Sequence, residues 1–336
     1  MSVNAWQTIP GFIKETKMTK FFKLFAAALA LAGLAATSAF SETRVTYKSA
    51  KTTSSYYQMA VQIAEAMKAG SDGNIIVTVE ESQGSVQNVM EVKARGGDYV
   101  FTTPPVLVRL AQDGKAMFKD KSDPAFAEIR ALFPIPSLTM HFVMSEASGV
   151  TDFAGLEGKT ILLGKGSFGA REGAKYLKLF GLEGKVEIAD VELSGAVPAL
   201  KNGQIDGFVT AGSFPAPNVI EAAASTGVVV LSLNDEQITK SKRARLVIPA
   251  RTYAGQESDI VTTSLPVVAY TTTKMDDDTA YALTKTYWEG KAMMGDATPW
   301  WNGVDRGLMA NITGQIHPGA LKYYTEAGFD LTDAQK

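Results

Sequence analysis

The chemistry of this sequence is concentrated in hydroxyl- and glycine-rich turns. Ser54-Ser55-Tyr56-Tyr57 stands between a strand-like run and a helix-like one. Hydroxyls and free backbone N–H groups at a helix start suit a carboxylate or a phosphate. A helix cap with surface tyrosines accounts for the same residues equally well. Gly164-Lys165-Gly166-Ser167-Phe168-Gly169 occupies a like position. It has the look of a phosphate loop, but no Gly-Lys-Ser/Thr follows, which argues against a nucleotide. Its glycines let the backbone approach a ligand, and Ser167 can donate to an anion. Ala211-Gly212-Ser213-Phe214-Pro215 is a third turn of this kind. In Ser82-Gln83-Gly84-Ser85-Val86-Gln87-Asn88, Ser85 reads as an N-cap, and Asn88 faces the same helix end. Thr102, Thr103 and Pro104 end a strand and would floor a cleft. Each motif singly is ordinary cap or turn chemistry; the three turns weigh more together.

Catalytic material is scarce. The chain has no cysteine and only two histidines, His141 and His317. Thiol nucleophiles, thiolate metal sites, histidine metal sites and Ser-His-Asp arrangements therefore have little to draw on. Nothing resembles a calcium loop. The composition points to binding rather than to an enzyme, with no catalytic residue, metal or cofactor expected.

The turns need a scaffold, and the hydrophobic periodicity supplies one. Arg44 to Ser49 alternates as a strand, and Tyr56, Ala60, Ile63, Ala64 and Met67 recur at helical spacing. Strand over 74–80, helix over 85–95 and strand over 98–103 follow. A second unit repeats the pattern: strand 160–163, helix 170–180, strand 190–193, helix 196–202, strand 205–210 and a helix after Pro215. This alternation predicts an α/β fold with mostly parallel sheets. Thr139 to Ser145 and Val267 to Thr272 read as strands crossing between the units, and Asp278 to Ala327 as a mainly helical return. The expected division is 42–138 plus 268–336 for domain 1 and 139–267 for domain 2, a hinged clamp with the ligand between them.

Residues 18–41 read as an export signal. Lys20 and Lys23 precede the Ala- and Leu-rich run 24–36, and small residues then suit cleavage before Glu42 or slightly earlier. The run is shorter than the about 20 residues a membrane span needs, though a retained anchor stays open. Residues 1–17 read as an upstream extension. Four Lys against one Glu in residues 1–41 take +3 with them, which moves the formal charge from −2 to −5. A mildly acidic remainder does not suit nucleic acid or an anionic membrane surface.

The ordered set Ser54–Tyr57, Gly84-Ser85…Asn88, Leu156…Gly158-Lys159, Gly166-Ser167, Gln204-Ile205-Asp206-Gly207, Ile248-Pro249…Tyr253 and His317-Pro318-Gly319-Ala320…Tyr323-Tyr324…Glu326…Gly328 resembles the TAXI family. These are solute-binding proteins of TRAP (tripartite ATP-independent periplasmic) transporters. The resemblance spans essentially the whole chain after the signal. It implies a type II periplasmic-binding-protein fold with two α/β domains joined by two crossing hinge strands. It also implies periplasmic location, no catalysis, and delivery of a small carboxylate, of acidic amino acid or 2-oxoacid type, to an ion-gradient-driven permease. A monomer is the simplest expectation for such a carrier.

Carried over by position, the ligand-binding residues would be Ser54, Ser55, Tyr56, Tyr57, Ser85, Asn88, Thr103, Ser167, Phe168, Gly169, Arg171, Gly212 and Ser213. There are departures. The family's Gly-Thr-Gly-Gly turn reads Lys51-Thr52-Thr53-Ser54-Ser55, and its Gly-Ser-Gly-Thr turn reads Gly166-Ser167-Phe168-Gly169. Phe168 would add an apolar wall. Arg171 would replace the lost hydroxyl through a bidentate contact, or lie exposed on its helix. The cluster from Lys240 to Arg245 reads as an exposed loop, Trp300-Trp301 as packing for the tail, His317 as structural, and His141 as a partly buried linker residue. Competing readings are a same-fold binding protein serving an ABC importer or a sensor kinase, and a periplasmic hydrolase or transferase.

Overall fold

The computed structural model describes residues 42–52, 54–165, 167–294 and 298–336, without the side chains of 168, 299 and 302. The expected signal over 18–41 and the extension before it lie outside the described residues. Residues 42–336 form one body.

The first half runs β1 (Thr43–Lys48), α1 (Ser55–Gly70), β2 (Ile75–Glu80), α2 (Ser85–Glu91), β3 (Tyr99–Thr103) and α3 (Pro105–Gln112). Val45 and Tyr47 alternate into the core from β1, and Met59, Ile63, Ala66 and Met67 form the buried stripe of α1. Ser54 caps α1, its hydroxyl accepting the Tyr56 N–H at 3.3 Å. The long β4 (Ile129–Ser145) then leaves this half. The second half runs β5 (Thr160–Leu162), α4 (Phe168–Leu179), β6 (Glu187–Ala189), α5 (Ala196–Lys201), β7 (Gly207–Gly212), α6 (Pro217–Thr226), β8 (Val228–Val230), α7 (Asp235–Ser241) and β9 (Ala244–Ile248). The chain returns along β10 (Ile260–Thr272) to α8 (Asp277–Met294) and α9 (Pro318–Glu326).

The strands form one mixed sheet in the order β2-β1-β3-β10-β4-β7-β5-β6, with β8 on β4 and β9 on β10. Within each half the pairs β1–β2, β1–β3, β5–β6 and β5–β7 are parallel, as the strand–helix alternation predicts. The two crossing strands pair antiparallel. β4 and β10 begin earlier than the expected segments, at Ile129 and Ile260. β4 changes partner along its length: Thr139 is opposite Ser264 of β10 on one side and Gly212 of β7 on the other.

Prolines 134 and 136 lie inside β4, where the ladder to β10 shifts register between Leu265 and Val267. Proline lacks an N–H and breaks the regular pairing. The carbonyls of this stretch are taken up by buried tyrosines. Tyr324 donates to the Leu132 carbonyl, Tyr287 to Pro134 and Tyr56 to Pro136, each at 2.8 Å. Burial pushes all three phenols above their ordinary range, so they remain donors. Helices α9, α8 and α1 are thereby fixed to one strand.

Several expectations need correction. No strand forms over 190–193: β5 offers β6 only three partners, 187–189, and Leu193–Gly195 is a 3-10 turn directed at the cavity described below. The helix over 85–95 ends at Glu91 and continues as a 3-10 turn to Ala94. Ala211 and Gly212 belong to β7 rather than to a turn. The basic cluster is the end of α7 and the start of β9, and three of its four cations are paired: Arg243 grips Glu172 at 2.9 Å, Lys240 pairs with Glu236, and Arg245 pairs with Asp235. His141 is fully buried instead of partly so. Its Nε2 lies 2.8 Å from the Tyr253 hydroxyl, which accepts the Ala216 N–H. One phenolic proton and one Nδ1 proton, shared with the Thr139 carbonyl at 3.2 Å, satisfy this chain with a neutral imidazole. Trp301 is fully buried and stacks on Trp300, and His317 caps α9 by accepting the Gly319 N–H.

Tyr287 is stacked on Phe133, so Tyr287→Phe keeps the ring and removes only the donor to Pro134. Urea unfolding should show a loss of about 1–3 kcal/mol, the cost of an unsatisfied buried carbonyl; no loss would mean that another donor serves it. Burial also lowers His141 from 6.5 to about 4. The unfolded chain therefore takes up this proton first as pH falls, and stability should drain away between pH 6.5 and about 4. His141→Gln should flatten that part of the stability–pH curve, and an unchanged slope would assign it to other groups.

Candidate functional site

A cavity of about 140 Å³ lies where the carboxyl ends of β1, β2 and β3 face those of β5, β6 and β7. Open α/β sheets bind ligands at this end of their strands. The volume is below the about 300–1,000 Å³ of sites for drug-sized ligands, so it suits a small solute.

The floor is buried and consists of Ser49, Tyr56, Thr102, Leu138 and Val267. Its hydroxyl protons are committed. Ser49 Oγ donates to the Tyr56 carbonyl at 2.7 Å, Thr102 Oγ1 to Tyr47 Oη at 2.8 Å, and Tyr56 Oη to Pro136. Asn88, fully buried, stands behind the floor and donates from Nδ2 to the carbonyls of Ser49 and Thr102 at 2.7 and 2.8 Å. It thereby ties the ends of β1 and β3 together.

Two helix starts form opposite walls. Ser54 at α1 and Ser167 at α4 both line the cavity, and each accepts a first-turn N–H, from Tyr56 and Ala170 respectively. Among the described residues nothing accepts either hydroxyl proton, and the N–H groups of two helix N-termini carry partial positive charge. A third wall is the loop 81–85. Ser82 Oγ donates to the Ser49 carbonyl and accepts the Gly84 N–H, each at 3.0 Å. Gly84 has φ +112°, a conformation side chains resist. Behind this loop, Arg95 bonds Glu80 at 2.6 Å and Glu91 at 2.7 Å, and holds the Glu80 carboxyl below the usual range.

The rim is charged. Lys51 Nζ is 3.4 Å from Glu192 across the mouth and 4.0 Å from Glu81 on its own side, and Lys165 Nζ is 2.9 Å from Asp190. At the back, the Ser213 N–H donates to Ser55 Oγ at 2.9 Å and joins the two halves in a buried contact. Gly212 makes this approach possible, since a Cβ there would stand 2.5 Å from Ser55 Oγ.

Of the expected site residues, the structure brings Ser54, Tyr56, Ser85, Ser167 and Gly169 onto the cavity. Ser55, Gly212 and Ser213 stand behind it, where Ser213 donates its N–H to Ser55 Oγ and Gly212 leaves room for the approach. Asn88 and Thr103 are fully buried supports; the Thr103 hydroxyl is 3.5 Å from the Ser85 carbonyl. Tyr57 is half-buried and Arg171 exposed, and neither lines the cavity. The Phe168 side chain lies outside the described residues. The sequence reading missed Lys51, Glu81, Lys165 and Glu192 at the rim and Leu138, Leu193 and Val267 as apolar lining. Glu81 and Glu192 were within reach of the strand-end rule, because Glu81 follows β2 directly and Glu192 stands three residues past the end of β6. Among the described residues, no group of three or more His, Asp or Glu is placed to hold a metal ion.

The profile of the NMT1-like family matches residues 48–328. Among solved structures, the chain is similar to the periplasmic binding protein BugD, with a TM-score of 0.52 and 10% identity over 85% of this chain and 98% of that one. It also resembles the periplasmic aliphatic sulphonate binding protein SsuA from Escherichia coli, with a TM-score of 0.46 and 14% identity over 84% and 82%. A TRAP periplasmic solute-binding protein from Roseobacter denitrificans with bound L-galactonate gives 0.42 and 12% over 86% and 95%. At these identities the likeness concerns the fold, and BugD carries it: a mixed α/β periplasmic-binding-protein architecture. No described helix is long and apolar enough to cross a membrane.

If closure depends on the Gly212–Ser55 approach, Gly212→Ala should weaken solute binding by about tenfold or more, as misplacement of a binding group does, with an unchanged circular dichroism spectrum. Equal affinity in calorimetry would show that binding does not require this contact.

Proposed function

The chain belongs to the NMT1-like family, and from that premise we propose that it is a periplasmic solute-binding protein that captures a small carboxylate for an ion-gradient-driven TRAP permease. One observation carries the reading. The N-termini of α1 and α4 face a single small cavity from opposite halves of the sheet, with the hydroxyls of Ser54 and Ser167 beside them. Converging partial positive charge and free hydroxyl donors stabilise an anion without a paired cation. Ser85 adds a third hydroxyl on the remaining wall. This is a binding geometry, and the proposal assigns it no reaction.

The resemblance to TAXI proteins supports the carboxylate and the permease class, and the export-type sequence at 18–41 supports the periplasm. The hinge is proposed at the boundaries read from the sequence, 42–138 plus 268–336 against 139–267. The change of partner along β4 at Thr139, opposite Ser264, supports a pivot there. Rotation about the two crossing strands would open the mouth, and a bound solute would favour the closed form that a permease recognises. The protein would act as a monomer, with the solute and the permease subunits as its partners.

A thermal-shift panel on refolded protein tests the first step. Carboxylates should raise the melting temperature saturably, while matched amides and alcohols should not. If neutral solutes stabilise and carboxylates do not, the anion reading fails. Uptake by cells carrying the protein and its permease should collapse with an ionophore and survive ATP depletion; the reverse would mark an ABC importer.

A further inference from the structure

The lining of the cavity divides by depth into an apolar interior and a charged rim. Leu138, Leu193, Ala211 and Val267 supply carbon to the interior. The floor hydroxyls have one proton each, and all three are already donated, to the Tyr56 carbonyl, the Tyr47 hydroxyl and the Pro136 carbonyl. What they present inward is lone pairs. A carboxylate pushed to that depth would lose its water and gain no donor, which is a costly burial. Among the described residues the available donors are the hydroxyls of Ser54, Ser167 and Ser85 and the two helix starts, all on the walls rather than the floor, and the two helix starts converge on one carboxylate position.

Among the described residues, the rim beside that position carries excess negative charge. Glu81 and Glu192 share the single ammonium of Lys51, at 4.0 and 3.4 Å. The other lining lysine, Lys165, is matched by Asp190 at 2.9 Å. One glutamate's worth of charge is therefore left over, arriving from both walls at the same place. An ammonium group adjacent to the ligand carboxylate would complete the set, giving each glutamate a cation of its own.

We infer that the solute is a zwitterionic α-amino acid with a small apolar side chain, its carboxylate on the helix starts, its ammonium between Glu81 and Glu192, and its side chain against Leu138 and Val267. This rests on the carboxylate reading above and narrows it, away from both 2-oxoacids and acidic amino acids. A 2-oxoacid has the carboxylate and the apolar body but leaves the glutamate excess uncompensated. Glutamate and 2-oxoglutarate would place a second carboxylate on a floor without donors.

Calorimetry on the unfolded and refolded protein decides it, with L-valine and L-leucine, their matching 2-oxoacids, L-glutamate and 2-oxoglutarate as probes. The apolar amino acids should bind about tenfold or more tightly than their own 2-oxoacids, the factor expected of one charge-assisted contact, and more tightly than either dicarboxylate. In Glu81→Gln combined with Glu192→Gln, the ratio of amino acid to 2-oxoacid affinity should fall towards one. A purely structural effect of the substitutions would lower both affinities and leave the ratio alone, which would overturn the role given to these two residues. If the 2-oxoacids or dicarboxylates bind as well as or better than the amino acids, this inference falls while the carboxylate reading stands. If no carboxylate in the set binds, both fall.

Discussion

Where a buried strand's ladder is broken, its carbonyls must find other donors, and much of this molecule is arranged around that need. β4 runs from one half of the sheet to the other, and its Pro134–Pro136 stretch cannot keep a regular ladder with β10. Unpaired buried carbonyls cost about 1–3 kcal/mol each. Tyr56, Tyr287 and Tyr324 remove that cost from three different helices. The result is a rigid seam in the first half, with the aromatic rings of Phe133, Tyr287 and Trp301 packed along it.

The site inherits its floor from the seam. Tyr56 hydrogen-bonds β4 through its hydroxyl, accepts from Ser49 through its carbonyl, and belongs to the first turn of the helix whose start faces the cavity. The position of that helix start is thus set by a strand carbonyl rather than by the exposed loop before it. Asn88 performs the matching task from the other side, joining the ends of β1 and β3. Binding groups held this way lose little freedom when a ligand arrives.

The alternation of strands and helices was legible because both periods are strong in β1, α1 and α4, and the cleft end of the sheet followed from it. Ser54 and Ser167 were legible as lining residues for the same reason, since caps at strand-to-helix turns are local features; Ser85 lines the cavity as well, but Gly84 takes the N-cap place expected for it and no side-chain capping bond forms. Asn88, Ser55 and Ser213 were not placed correctly. Their side chains or N–H groups have partners 14 to 158 residues away, and nothing local distinguishes a polar group that binds a ligand from one that binds another turn. The rim charges were missed for a related reason. Lys51 and Glu192 are 141 residues apart, and their pairing exists only because the two halves meet. The lost strand at 190–193 shows the limit of periodicity: a good alternating pattern goes unpaired when its neighbour, β5, is only three residues long.

Under the proposed carrier role, the contrast between seam and mouth matters more than either alone. The halves are continuous through two strands that cannot easily be separated, whereas the walls meet through contacts of low cost. The Lys51–Glu192 pair is exposed, and such pairs contribute about 0–1 kcal/mol. The Ser213–Ser55 hydrogen bond is buried and adds about 0.5–1.5 kcal/mol. Closure without solute is then nearly balanced, and a ligand that touches both helix starts at once need supply only a few kcal/mol of differential affinity to shift it. A tighter latch would hold the cavity shut when empty, and a looser one would leave closure uncoupled from binding.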